Sequence, residues 1–190
     1  MENNSCREAA KKYIQEGKSV IITNGKVPIV SWTEFQYRHP NTDTIDLWYD
    51  KYPDANLGII TGKISGITVI DVDGERGQES LKKEGISLPP TTIVKTPHGF
   101  HYYYEYNESY PERGGIIPGV DIRNNGGLVI APPSQINGQF YESITDNGYA
   151  ELPQFSKVFK GNIELPKTSI KNPNWVSELL ESGMTQPGRN

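Results

Sequence analysis

The spacing of apolar residues changes several times along the chain. Cys6, Ala9, Ala10, Tyr13 and Ile14 recur at helical spacing. They predict an amphipathic helix opened by a Ser5/Glu8 capping box and stopped by Gly17. Ser19 to Thr23 reads as a short strand closed by the Asn24-Gly25 turn, followed by an extended Lys26-Val27-Pro28 segment that leads to Trp32. A second helix begins after Pro40-Asn41-Thr42, with Ile45, Trp48, Tyr49 and Tyr52 on one face and Pro53 at its end. Asn56 to Thr61 and Ile67 to Asp73 read as strands joined through Gly62–Gly66, and the two can pair as a hairpin. A polar, modestly helical stretch runs from Gln78 to Glu84. Thr92–Lys95 and Phe100–Tyr106 are strands around a Thr96-Pro97-His98-Gly99 turn, and Ser109 to Gly119 reads as loop. Val120–Arg123 and Leu128–Ala131 flank Asn124-Asn125-Gly126-Gly127, a strong hairpin signal because Asn-Gly accepts positive φ. A weak strand near Gln139–Glu142, an irregular stretch from Asn147 to Lys171 and a last helix from Asn172 to Gly183 complete the pattern. Helices lie at the ends and strands in the middle, an α+β (mixed α/β) chain.

The strand Ile67-Thr68-Val69-Ile70-Asp71-Val72-Asp73 is apolar on both faces until its end. Such a strand belongs inside a covered sheet. Asp71 and Asp73 share a face at i and i+2, behind Ile67 and Val69. Two carboxylates so close repel, and a divalent cation relieves them; a solvated turn would relieve them too. Asp121, within the otherwise apolar Val120–Ile122, needs a partner, either in such a site or in Arg123 at i+2. His101 opens a tyrosine-rich strand after Gly99. There an imidazole can meet a phosphate, ligate a metal or bond the neighbouring tyrosines.

Composition narrows the function. At 190 residues, with 35% hydrophobic and 22% charged positions, the chain is a globular domain or two small lobes. Its apolar runs are too short for a membrane span, and nothing resembles a signal peptide, so a cytoplasmic protein is expected. The single Cys6 excludes a disulfide framework and any multi-cysteine zinc knuckle. A net charge of −4 argues against a broad basic nucleic-acid surface while leaving a local groove open.

EF-hand, Walker A, Gly-x-Gly-x-x-Gly, His-Glu-x-x-His and Gly-x-Ser-x-Gly motifs are all absent. The order of the remaining pieces carries a resemblance. Lys26-x-Pro28 with Trp32, the Trp48 helix and Asn56–Gly62 come first. Ser65-Gly66 leading to Asp71-Val72-Asp73, Thr96-Pro-His-Gly-Phe-His101, and Gly119-Val-Asp121-Ile-Arg123 through Gly126-Gly127 to Ala131-Pro-Pro-Ser134 follow. In this order they resemble the bifunctional primase–polymerase (prim-pol) domain of the archaeo-eukaryotic primase superfamily. One departure is His98-Gly99-Phe100, where many members carry a second glycine.

The resemblance implies an N-terminal αβ lobe and an RRM-like palm over residues 1–170, then a C-terminal helix and linker over 171–190 leading to a helical or helicase region. It implies a nucleotidyltransferase in which Asp71, Asp73 and Asp121 hold two divalent ions, Mg2+ or Mn2+. His101 would contact the nucleotide, with Lys95, Thr96, Gly99 and Arg123 as further nucleotide contacts. The implied partners are a single-stranded DNA template and primer and dNTP or NTP substrates, with this chain a monomer. Two rivals are a replication-initiator nuclease using a tyrosine nucleophile, and a non-catalytic RRM-like module stacking single strands on its tyrosines.

Overall fold

The computed structural model describes residues 4–152. The helix expected from Asn172, and the whole 171–190 segment, lie outside them. The elements in chain order begin with α1 (Asn4–Gln15), β1 (Ser19–Asn24), β2 (Val27–Pro28), a 3-10 turn (Thr33–Gln36), α2 (Thr42–Lys51), β3 (Asn56–Ile60) and β4 (Ile67–Asp73). They continue with α3 (Gly74–Lys83), β5 (Thr92–Lys95), β6 (Gly99–Glu105), β7 (Arg113–Ile117), β8 (Val120–Arg123) and β9 (Leu128–Ile130). The last are β10 (Gln135–Ile136), β11 (Gln139–Phe140) and β12 (Glu142–Thr145). No helix among the described residues is long and apolar enough to cross a membrane.

The strands form a four-stranded sheet, β2-β1-β3-β9, a six-stranded sheet, β12-β5-β6-β4-β8-β7, and a small β10-β11 ribbon. The pairings within each are antiparallel. With three α-helices around them, this is the expected mixed α+β fold. Asn41 caps α2 by accepting the Thr44 N–H at 2.8 Å. One apolar cluster joins α1 and α2 (Ala10, Ile45, Tyr49), the four-stranded sheet (Val20, Ile22, Leu57, Ile59, Val129) and the inner face of the large sheet (Ile67, Val69, Val94, Tyr103). Each fully buried Ile or Val there contributes about 1.5–3 kcal/mol. Ile21, Ile60 and Phe35 form a second cluster beneath the 3-10 turn. On the outer face of the large sheet α3 lies close, with Leu81 buried and Gly77 against Gly119 and Val72. β4 is therefore covered on both sides, as its sequence predicts.

Three expectations are corrected. β3 and β4 do not form a hairpin. Gly62 and Ile67 exchange N–H···O bonds of 2.7 and 3.2 Å, and the two strands then part into different sheets. Gly62 permits this at φ +91°, with Asn125 packed where a side chain would be. Nor do β8 and β9 pair across Asn124–Gly127, because β8 joins β4 and β7 while β9 joins β3. The turn forms, with Gly127 N–H donating to Asn124 O at 2.8 Å, but the Asn124 side chain is buried. Its amide donates to the carbonyls of Asn107 and Tyr110, and the Thr61 hydroxyl donates to its backbone carbonyl. These bonds make the turn a corner between sheets. Finally, the Ser109–Gly119 stretch holds strand β7, an edge strand with a register shift against β8.

Gly99 pairs with Asp73 so closely that a Cβ there would sit 1.9 Å from the Val72 carbonyl oxygen. Gly99→Ala must push β6 off β4. The expected result is a loss of at least about 2 kcal/mol in urea denaturation, with a lower midpoint and an unchanged m-value.

Candidate active site

The site follows from strand register. On β4, Asp71 lies directly opposite His101 of β6 on one side and Asp121 of β8 on the other. His101 in turn lies opposite Val94 of β5. Residues opposite each other in an antiparallel pair share a face, so His101, Asp71 and Asp121 form one row across three adjacent strands. Asp73 and Arg123 join the same face at i+2 from Asp71 and Asp121. It is the inner face, apolar through Ile67 and Val69 and polar only where β4 approaches its end.

Asp121 is held twice. Its Oδ1 accepts the Gly115 N–H at 2.6 Å, and its Oδ2 accepts from Arg123 Nη2 at 2.5 Å. The ion pair open to Asp121 in the sequence is thus formed, and it coexists with a place opposite Asp71. Arg123 also donates from Nη1 to Glu112 Oε1 at 3.1 Å, while Glu112 Oε2 accepts the Asn124 N–H at 2.5 Å. Burial raises the Glu112 pKa, against the opposing pull of Asn124 and Arg123.

Asp71 is the opposite case, since no hydrogen bond to its carboxylate forms among the described residues. Burial first, then the charges of Asp73 and Asp121, raise its pKa to about 6 against the opposing Arg123 and Lys26. His101 Nε2 stands 3.5 Å from Asp71 Oδ1. Burial, with Lys26 and Arg123 adding to it, lowers the imidazole to about 3, so His101 is neutral at pH 7. The contact is therefore that of a neutral ring facing a carboxylate rather than an ion pair. His101 Nδ1 is buried with no partner among the described residues. The ring packs against Tyr103 and Tyr141, with centroids 6.3 and 5.9 Å away.

The other nucleotide-contact candidates lie around the Thr96–Gly99 turn. Thr96 is buried, its N–H donating to Gly99 O at 2.9 Å and its hydroxyl accepting the His98 N–H at 3.2 Å. Lys95 is exposed and pairs with Phe100, one step out of phase with the His101 row, so alternation sends it to the α3 face. Four residues near the row were not assigned to it from the sequence. Gly115 and Glu112 lie in the stretch read as loop. Lys26 sits in the β1–β2 turn as part of the extended segment. Tyr141 is 2% exposed, and its phenol is pushed up to about 12 by burial and by Asp71 and Asp73. Only Lys26 carried a signal, as a lysine beside a strand end.

Among the described residues, no three His, Cys, Asp or Glu side chains are already gathered as a metal site. The Asp121 carboxylate is engaged instead by Arg123 and Gly115. The donor chemistry nevertheless suits a hard divalent cation. A desolvated, unpaired carboxylate beside two others needs positive charge, and all-oxygen donors suit Mg2+ or Mn2+. On the tyrosine strand, by contrast, Tyr103 and Tyr104 are buried, Tyr104 donating its hydroxyl to Pro89 O, so neither offers a stacking face, while Tyr102 is half-buried. Burial also raises the Tyr103 and Tyr141 phenols, the reverse of what a tyrosine nucleophile requires.

Compared with known families, residues 10–155 match the bifunctional DNA primase/polymerase N-terminal domain, Prim-Pol. The match includes both sheets and the whole carboxylate row, and the chain belongs to this family. No curated protein matches it.

Asp71 makes the apo protein's stability depend on pH. Its folded pKa, about 6, lies above the ordinary carboxylate value of 3.8. The ionised form therefore opposes folding fully above about pH 6, and this opposition disappears below about pH 4. In metal-free buffer at pH 8, Asp71→Asn should be the more stable protein, by roughly 2–3 kcal/mol. The advantage should shrink to nothing as thermal unfolding is repeated towards pH 4.

Proposed function

We propose that the chain is the catalytic module of a template-directed DNA primase/polymerase, joining (d)NTPs to a primer end or a starting nucleotide. The observation that carries this reading is the register row, in which Asp71 faces both His101 and Asp121 at the end of a buried strand. Family membership sets the reaction class, and the row supplies the groups such a reaction needs.

Asp71, Asp73 and Asp121 would hold two Mg2+ or Mn2+ ions. When bound, such ions lower the pKa of the attacking 3′-hydroxyl and neutralise the triphosphate. The remaining work falls to the chain's own residues. Asp71 must be ionised to bind a cation, and at neutral pH it is, although only about one unit above its pKa of about 6. His101, neutral and with Nε2 towards the row, offers one N–H donor to a phosphate oxygen without adding charge. Arg123 presents a forked donor suited to a phosphate. Glu112 and Asp121 orient it. Thr96 and Gly99 shape the turn at the row's edge, and Lys95 is the weakest member of the set because its register faces away.

Primer extension on a single-stranded template with Mg2+ or Mn2+ tests the reading directly. Asp71→Ala or Asp121→Ala should abolish extension while the far-ultraviolet circular dichroism stays unchanged; extension surviving in either variant would remove these carboxylates from the chemistry. His101→Ala should chiefly raise the nucleotide KM, by about ten-fold for one lost charge-assisted hydrogen bond. An unchanged KM would leave His101 a packing residue.

A further inference from the structure

Away from the row, the Asn124–Gly127 corner, the end of the 3-10 turn and the Thr61–Ile64 segment enclose a cleft of about 610 Å³. Its lining includes Gln36, Tyr37, His39, Lys63 and Asn125, and it contains no carboxylate. In a chain with 23 acidic residues and a net charge of −4, a cleft lined by a lysine and no carboxylate is a place where a polyanion meets less repulsion.

The polar groups here have distinct states. Tyr37 is 71% exposed, a large aromatic face left in water at the cleft. Lys63 makes no ion pair among the described residues. Neighbouring Arg38, by contrast, is spent on Glu34 and on the Phe35 ring. Asn125 is fixed in place, its Oδ1 accepting the Lys63 N–H at 2.8 Å and its amide donating to the Tyr106 hydroxyl at 2.9 Å. His39 Nε2 is tied to Ile64 O at 2.8 Å. Gln36, beside Gly126, keeps its side-chain amide without a hydrogen bond among the described residues. An exposed aromatic, an unpaired cation and a free amide around an acid-free cleft match the parts of a nucleotide unit. A base can stack on the ring, its edge can meet the amide, and the backbone phosphate can meet the lysine.

We propose that this cleft binds single-stranded nucleic acid, with one base stacked on Tyr37 and a neighbouring phosphate at Lys63. The proposal rests on the polymerase reading in one respect only: it makes the bound strand the template. Asn125 follows Asp121 by four positions, at most about 13 Å along the chain, so a strand seated in the cleft lies within a few nucleotides of the carboxylate row.

The test is fluorescence anisotropy with a labelled oligothymidylate on the full chain, at low salt and in EDTA, so that no catalysis enters. Tyr37→Ala should weaken binding about five- to a hundredfold, the range for one lost base stack, and Tyr37→Phe should restore it. Lys63→Glu should weaken binding and reduce the salt slope by about one phosphate contact. Thymidine monophosphate at the same nucleotide concentration should not displace the strand. Unchanged affinity in Tyr37→Ala and Lys63→Glu, or no binding by the parent chain, would overturn the proposal. Displacement by the monophosphate would overturn it in favour of a free-nucleotide site. Binding is read in EDTA without turnover, so binding lost in these variants bears on the cleft alone, while extension surviving in Asp71→Ala bears on the catalytic reading alone.

Discussion

The site depends on one constraint, the pairing of β4 with β6 and β8 in a single register. Asp71 faces His101 and Asp121 only because Val69 faces Tyr103 and Arg123 two residues earlier. A slip of one residue would turn Ile70 and Val72 inward and send the carboxylates to the α3 face. Such a slip would remove Ile67 and Val69 from the core they share with the small sheet, and would present Asp71 to Leu81. Hydrophobic burial along the first half of β4 therefore sets the geometry of its polar end. Gly99 adds a second lock, since the close approach of β6 to Val72 and Asp73 leaves no room for any other residue in that register.

Charge is distributed unevenly along the row. On one side Arg123 stands between two carboxylates, Asp121 and Glu112, whose ion pairs with it keep the guanidinium in a fixed position. On the other side Asp71 is desolvated with no cationic side chain bonded to it, while Asp73 adds a like charge. The demand for positive charge is thus concentrated at the end of β4. Tyr141 and His101 wall that end with neutral rings, which keep the local dielectric low and so increase both the repulsion and the attraction for a cation. The arrangement opposes folding at neutral pH unless positive charge is supplied at that end.

Much of this was legible in the sequence, and what was missed has identifiable physical causes. The elements with a clear period, α1, α2 and β4, lie where their apolar spacing puts them, and Asp71, Asp73, His101 and Asp121 emerge together because strand alternation is a local rule. Pairing is not local. Asn124-Asn125-Gly126-Gly127 encodes a tight turn, and the turn forms, but whether the flanking strands pair depends on the buried amide bonds of Asn124 to distant carbonyls. The same holds for Gly62–Gly66, which bends the chain from one sheet into the other. β7 was hidden because Arg113-Gly114-Gly115-Ile116-Ile117 has no alternating pattern and lies at a sheet edge. With it went Glu112 and Gly115, the groups that decide where Arg123 and Asp121 point.

The Asn124–Gly127 corner also connects the carboxylate row with the cleft. β8 carries Asp121 and Arg123, then leaves the large sheet through Asn124 to enter β9 of the small one. Had β8 and β9 paired, Asn125 and Gly126 would cap a hairpin, and the cleft against the 3-10 turn and Lys63 would not exist. Because the chain crosses between sheets instead, a cleft lined without carboxylates follows the strand that bears Asp121. An acidic chain cannot attract a polyanion over its whole surface. It can do so where a cleft is lined without carboxylates, and here two of the lining residues, Asn125 and Gly126, follow Asp121 of β8 by a few positions, through the turn.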